Sequence, residues 1–201
     1  MSNTIDYKER YERCIKLIED RQEMVFGSRY RGASLSKIQF GVDASGNEIA
    51  RRVLDWLKGK QHFLIYLGNA GIGKTYFCAA IFAEALTKFA SVRYWNESEL
   101  LKKVRNSMEE CQGDYLEALK WLIDDDFVIL DDIGSTGLNE WRKEIIFDAI
   151  DERYNCMKPT IITSNFSIKE FKSFFHERVA SRLFSKENCV IEILDGEDLR
   201  A

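Results

Sequence analysis

Two hydrophobic periods alternate along this chain. Short apolar-rich runs at 63–67, 91–95, 127–130, 160–163 and 189–193 are separated by longer segments whose apolar residues recur every three or four positions. The short runs predict strands buried on both faces. The intervening segments predict helices at 74–89, 97–110, 115–123, 140–154, 168–175 and 177–184. Strands alternating with helices imply a parallel sheet covered on both sides, a three-layer α/β fold with five strands. The single proline, Pro159, stands just before the fourth run. Upstream, Tyr7, Tyr11, Cys14, Ile15 and Ile18 recur at helical spacing, with Lys8, Glu9, Glu12, Arg13 and Lys16 on the opposite side. That pattern predicts an amphipathic helix over 4–20, which either packs on its own domain or docks a partner. Residues 27–46 contain Gly and Ser and read as a loop; 47–57 reads as a further helix. The expected organisation is an N-terminal helical element over 1–24 and one α/β domain over 25–201.

The first strand breaks into Gly68-Asn69-Ala70-Gly71-Ile72-Gly73-Lys74-Thr75. This is the pattern G-x-x-x-x-G-K-[ST] in its required context, strand before and helix after. Phosphates carry dense negative charge, and N–H groups freed at a helix N-terminus meet it. Glycines let the backbone curl without Cβ clashes. Lys74 is placed to reach the β- and γ-phosphates and the Thr75 hydroxyl to hold Mg²⁺. The alternative is a chance glycine turn, which the flanking strand and helix disfavour. The stretch implies a nucleoside triphosphate site with Mg²⁺.

Three further stretches bear on chemistry. Phe127-Val-Ile-Leu130 ends in Asp131 and Asp132. Asp131 at a strand end beside the glycine loop suits the cation, and Asp132 suits a general base polarising a water. Alone, such a run merely marks a strand leaving the core. The fourth strand ends in Thr163-Ser164-Asn165, where Asn165 either caps the strand in a turn or hydrogen-bonds the attacking water or γ-phosphate. Arg178 and Arg182 stand i and i+4 on one helix face. They are either solvated or, in a head-to-tail assembly, one enters a neighbour's site as an arginine finger. Lys102, Lys103 and Arg105 form a short basic patch, which is either a solvated face or a contact to a DNA backbone.

Composition narrows the classes. At 201 residues, 45% hydrophobic and 31% charged, the chain suits one soluble domain. No apolar run approaches the roughly 18 residues of a membrane span, so no membrane partner is expected. The N-terminus lacks the apolar stretch of a secretory leader. Five scattered cysteines without C-x-x-C spacing fit reduced thiols, and the expectation is a cytoplasmic protein. The net charge of −4 is uneven: residues 1–60 hold 12 Lys and Arg against 9 Asp and Glu, and residues 61–201 hold 17 against 24. Any nucleic-acid contact is therefore local. His62 and His176 belong to no nucleophilic constellation.

Together these motifs resemble the bacterial helicase-loader ATPases of the DnaC/DnaI type and their IstB-type transposition relatives. These are AAA+ proteins related to DnaA. The resemblance runs from about Tyr30 to Ala201. It is carried by the glycine loop, Ile129-Leu-Asp-Asp-Ile-Gly134, Glu140-Trp141, Glu152-Arg153-Tyr154 and Lys158-Pro-Thr-Ile-Ile-Thr-Ser-Asn165. It continues in Glu177-Arg-Val-Ala-Ser-Arg-Leu183 and the tail 191–200. The resemblance implies an AAA+ core without a C-terminal lid domain. Lys74 and Thr75 then look like Walker A, Asp131 and Asp132 like Walker B, Asn165 like sensor 1 and Arg182 like the arginine finger, with Arg178 its helix partner. Residues 39–42 would border the adenine, and the segment 97–123 would face single-stranded DNA. The implied activity is ATP hydrolysis that loads a replicative hexameric helicase onto single-stranded DNA, with self-assembly into a homo-oligomer. A transposition helper acting on duplex DNA and a transposase is the alternative. A small-molecule kinase leaves Thr163-Ser164-Asn165 and the arginine pair without a role.

Overall fold

The computed structural model describes residues 2–38, 45–59, 61–111, 115–135, 139–175, 177–185 and 187–193. Five buried runs form strands: β1 (Phe63–Leu67), β2 (Val92–Asn96), β3 (Phe127–Asp131), β4 (Thr160–Ser164) and β5 (Cys189–Ile193). All pair in parallel, in the order β2-β3-β4-β1-β5. The helices are α1 (Ser2–Phe26), α2 (Ser45–Trp56), α3 (Lys74–Leu86), α4 (Glu97–Glu110), α5 (Tyr115–Asp124), α6 (Glu140–Asn155), α7 (Ile168–Phe174) and α8 (Glu177–Leu183). The expected three-layer sheet is present, with strand and helix ends within a few residues of the sequence pattern. The larger differences lie upstream, where α1 continues to Phe26 and two 3-10 turns, 28–30 and 35–37, interrupt the expected loop. No described helix is long and apolar enough to cross a membrane.

Strand side chains alternate between two cores. Leu64, Tyr66, Phe127, Ile129 and Ile161 pack under α2 and α3. Phe63, Ile65, Leu67, Val128, Leu130 and Ile162 pack under α4 to α8. The same alternation carries polar residues at the strand ends onto one face. Leu130 lies opposite Ile162, so Asp131 and Thr163 follow side by side; Asn96 of β2 is level with Asp131 on its other flank. Side-chain caps fix several helix starts. Asn96 accepts from the Glu99 N–H at 2.9 Å, Asn139 accepts from Trp141 at 2.9 Å, and Ser167 with Glu170 forms a capping box.

α1 is held near its C-terminal end. The buried Gln22 amide donates to the carbonyls of Ala33 (2.8 Å) and Ala79 (2.9 Å) and accepts from the Gly32 N–H at 3.1 Å. Nearer its start, Tyr7, Tyr11 and Cys14 are exposed, so its apolar stripe is uncovered in the single chain.

Two cations that belong to shared motifs turn out to staple the scaffold. Arg153 is fully buried, and its guanidinium donates to Thr160 Oγ1 (2.8 Å) and to the carbonyls of Leu122 (2.9 Å), Asp125 (2.8 Å) and Pro159 (2.8 Å). Burial pushes its pKa down to about 10, so it stays charged at neutral pH. Lys158 Nζ donates to the carbonyls of Ile123 (2.9 Å) and Asp124 (2.5 Å), closing the end of α5. Replacing Arg153 with Leu removes the donor of three buried hydrogen bonds, to Thr160 Oγ1 and the carbonyls of Leu122 and Asp125, each unsatisfied acceptor costing about 1–3 kcal/mol. Arg153→Leu should therefore lower unfolding free energy in urea by at least about 3 kcal/mol. A loss under about 0.5 kcal/mol, the size of an ordinary surface substitution, would remove Arg153 from this role.

Candidate nucleotide site

The site lies outside the carboxyl ends of β1, β3 and β4, where ligands bind in open α/β sheets. Ile72 is buried among the core residues under α3 and pins the glycine loop to the sheet. Gly73 precedes α3 at φ 91°, a left-handed conformation that favours glycine. The loop therefore runs directly into the N-terminus of α3, where backbone N–H groups lack intrahelical partners. Gly68, Asn69, Ala70 and Gly71 complete it, and a cleft of about 720 Å³ opens in front.

Lys74 Nζ donates to the carbonyls of Gly68 (2.7 Å) and Asn69 (2.7 Å) and to Asn165 Oδ1 (2.6 Å). The Asn165 amide nitrogen in turn donates to Asp132 Oδ1 at 2.6 Å. A single side chain thus joins the loop lysine to the second acid of the third strand's end. Thr75 Oγ1 donates to Asp131 Oδ2 at 2.9 Å. Asp131 is nearly fully buried and also accepts from the hydroxyls of Thr163 and Tyr94, the latter at 2.8 Å. Hydroxyl and carboxylate oxygens are the donors that Mg²⁺ prefers, and it commonly takes one or two protein carboxylates with phosphate and water completing the set. Thr75 and Asp131 fit that ion.

Among the cleft residues that the sequence analysis did not single out are Tyr94 and Glu97. Tyr94 was visible only as part of a strand, and its link to Asp131 depends on β2 lying beside β3. Glu97 is buried at the start of α4, and its carboxylate accepts from the Gly134 N–H (3.1 Å) and Ser135 Oγ (3.3 Å). It ties the segment after Asp132 to α4. Asp132 itself sits at φ 59°, and Gly134 at φ 91°.

The remaining expected residues lie apart from this cleft. Arg178 and Arg182 both pair with Asp151 of α6, and the Arg182 guanidinium stacks over the Tyr154 ring at 4.9 Å. The Arg178 side chain is 68% exposed and that of Arg182 26%. The basic trio divides. Lys102 and Arg105 border one groove with Arg142, and Lys103 borders another with Arg93 and Trp95. Arg105 also stacks over Trp141 at 5.6 Å. Residues 39–42, His176 and the tail past Ile193 lie outside the described residues.

A phosphate-cradling loop on a parallel sheet, with a hydroxyl and a carboxylate set for a cation, defines a P-loop nucleoside-triphosphate site, here on an AAA+ fold. A family model described as IstB-like ATP binding protein matches residues 33–186, and the chain belongs to that family of ATP-binding proteins. Among curated relatives, the replicative helicase loader DnaI of Bacillus subtilis is 28% identical over 177 residues, covering 85% of this chain and 54% of DnaI. A putative ATP-binding protein of insertion sequence IS1162 from Pseudomonas fluorescens is 31% identical over 136 residues, covering 68% of this chain and 54% of the relative. The chain thus spans about half the length of both. The crystal structure of the DnaC helicase loader superposes with a TM-score of 0.69 at 25% identity, covering 83% of this chain and 99% of that one.

The turn after Asp132 offers a direct check. A Cβ on Gly134 would collide with the Phe166 ring, whereas one on Gly27, also at positive φ, meets nothing within 4 Å. Gly27→Ala should cost about 1 kcal/mol, the backbone contribution alone. Gly134→Ala should cost roughly 2–4 kcal/mol, because strain and overlap add. Thermal melts with equal losses would discard the ring contact as a constraint.

Proposed function

We propose that this protein is an AAA+ ATPase that loads a replicative hexameric helicase onto single-stranded DNA, turning ATP and water into ADP and phosphate. The observation that carries the ATPase reading is the continuous line Lys74–Asn165–Asp132. Asn165 hydrogen-bonds both Lys74 and Asp132, which supports reading Lys74 as the cation for the γ-phosphate, Asn165 as the amide for the water and Asp132 as the carboxylate base. Likeness to DnaI and to the DnaC structure supports the loader role.

Each residue then has its task. Gly68, whose N–H donates to the Ser164 carbonyl at 3.2 Å, starts the loop; backbone N–H groups of Asn69 to Gly73 cradle the phosphates, and Lys74 exchanges its carbonyl partners for phosphate oxygens. Thr75 and Asp131 hold the cation. With Mg²⁺ held there, the site gains positive charge that offsets the negative charge developing on the phosphates. Asp132 accepts a proton from the attacking water, which Asn165 orients. Arg182, with Arg178 beside it, reaches the site of the next subunit in a homo-oligomer, leaving Asp151 as it does so. Lys102 and Arg105, joined by Arg142, contact the DNA backbone, with Lys103 on the adjoining face. A second reading, a transposition helper that acts on duplex DNA with a transposase, is favoured by the insertion-sequence relative.

Lys74→Ala should abolish binding of a fluorescent ATP analogue; undiminished binding would reject the site. Arg182→Ala should leave that binding intact and remove hydrolysis in the assembled state, so unchanged turnover there would deny it the finger role. For the partner, native mass spectrometry with the host's replicative helicase and ATP·Mg²⁺ should give a defined complex. Nucleotide binding without any such complex would move the assignment to the transposition helper.

A further inference from the structure

Asp131 is a buried carboxylate whose surroundings are mostly hydroxyl groups. Its Oδ2 accepts from Thr75 (2.9 Å) and Tyr94 (2.8 Å); its Oδ1 accepts from Thr163, with the Cys78 thiol 3.7 Å away. Thr75 belongs to the glycine loop and must turn its oxygen outward when it meets a cation. Thr163 and Tyr94 have no such second duty. They fix the carboxylate plane from β4 on one side and from β2 on the other.

Tyr94 has a second face. Its ring lies 4.1 Å, centroid to centroid, from that of Phe26, the last residue of α1. Phe26 is wedged in place by Phe82 of α3, edge-on at 5.4 Å, and by Tyr30 at 6.0 Å. The N-terminal helix therefore ends against the back of a tyrosine whose hydroxyl holds a cleft carboxylate.

We propose that Tyr94 is a positioning residue for the cation site, setting the Asp131 carboxylate through its hydroxyl, and that Phe26 transmits the seating of α1 to that carboxylate through the Tyr94 ring. The inference rests on reading the cleft as a Mg²⁺·ATP site. Hydrogen bonds that orient a ligating carboxylate are typically worth 10- to 100-fold in metal affinity. The device thus makes cation affinity depend on how α1 is packed, without any residue of α1 entering the cleft.

The test uses the full chain and a fluorescent ATP analogue, titrated with Mg²⁺ and separately in EDTA. Tyr94→Phe keeps the ring and its packing but loses the hydroxyl. It should leave binding in EDTA within twofold of the parent and raise the Mg²⁺ concentration for half-maximal response at least about tenfold. Phe26→Leu should raise it by a smaller factor, and in the Tyr94→Phe background should add nothing, because the path runs through the hydroxyl. An unchanged Mg²⁺ midpoint in Tyr94→Phe overturns the positioning role. Additive effects in the double variant overturn the relay from α1. A parallel loss of binding in EDTA marks general damage to the cleft and also overturns the proposal. If the parent protein binds no analogue even with Mg²⁺, the site reading itself has failed.

Discussion

One buried negative charge organises the upper edge of this molecule. Asp131 is only 3% exposed, and a carboxylate taken out of water is tolerable only when its oxygens are met by donors. Its donors come from the strand on each side and from the helix behind the glycine loop: Tyr94 of β2, Thr163 of β4, Thr75 of α3. All three must arrive together, and each arrives only if its own element is in register. The two-residue period of the sheet makes this possible, since Tyr94, Asp131 and Thr163 share a face with Ile129 and Ile161 under α3. A fold that satisfies this carboxylate has also set the relative heights of three strands and one helix.

Much of that arrangement was readable in the chain. Five apolar runs divided by helical periods fix a parallel sheet, and strand ends followed by Gly, Asp or Asn fall on one edge of it. Hence Lys74, Thr75, Asp131, Asp132 and Asn165 were expected to converge, and they lie together around one cleft. Tyr94 and Glu97 were not legible for a common reason. Their significance lies in neighbours across a crossover, and nothing local distinguishes a tyrosine facing a carboxylate from one facing a leucine. Arg153 hid in the same way: inside a helical pattern it reads as surface, and only α5 and β4 closing around it reveal a buried hub. The basic trio is divided between two grooves. Three positions spanning one helical turn cannot share one face, and the structure separates Lys103 from Lys102 and Arg105.

The arginine pair shows how one protomer stores what another is proposed to use. Asp151 of α6 holds Arg178 and Arg182 together, and Tyr154 backs the second of them. Long cationic side chains lose rotamer freedom when they are engaged. Here the pairing with Asp151 is intramolecular, so an Arg182 that turns to a neighbour gives it up, and contacts at the subunit boundary have to offset that loss. Relatives that share the family are helicase loaders and insertion-sequence proteins.

α1 has a mechanical consequence. Twenty-five helical residues at 1.5 Å each make a rod about 37 Å long. Gln22 and Phe26 grip it near one end, while Tyr7 and Tyr11 stand clear of the domain. A rod clamped this way is a lever with its fulcrum beside Gln22. Small displacements at the grip correspond to large ones at the tip, and a modest force on the tip is multiplied at Phe26.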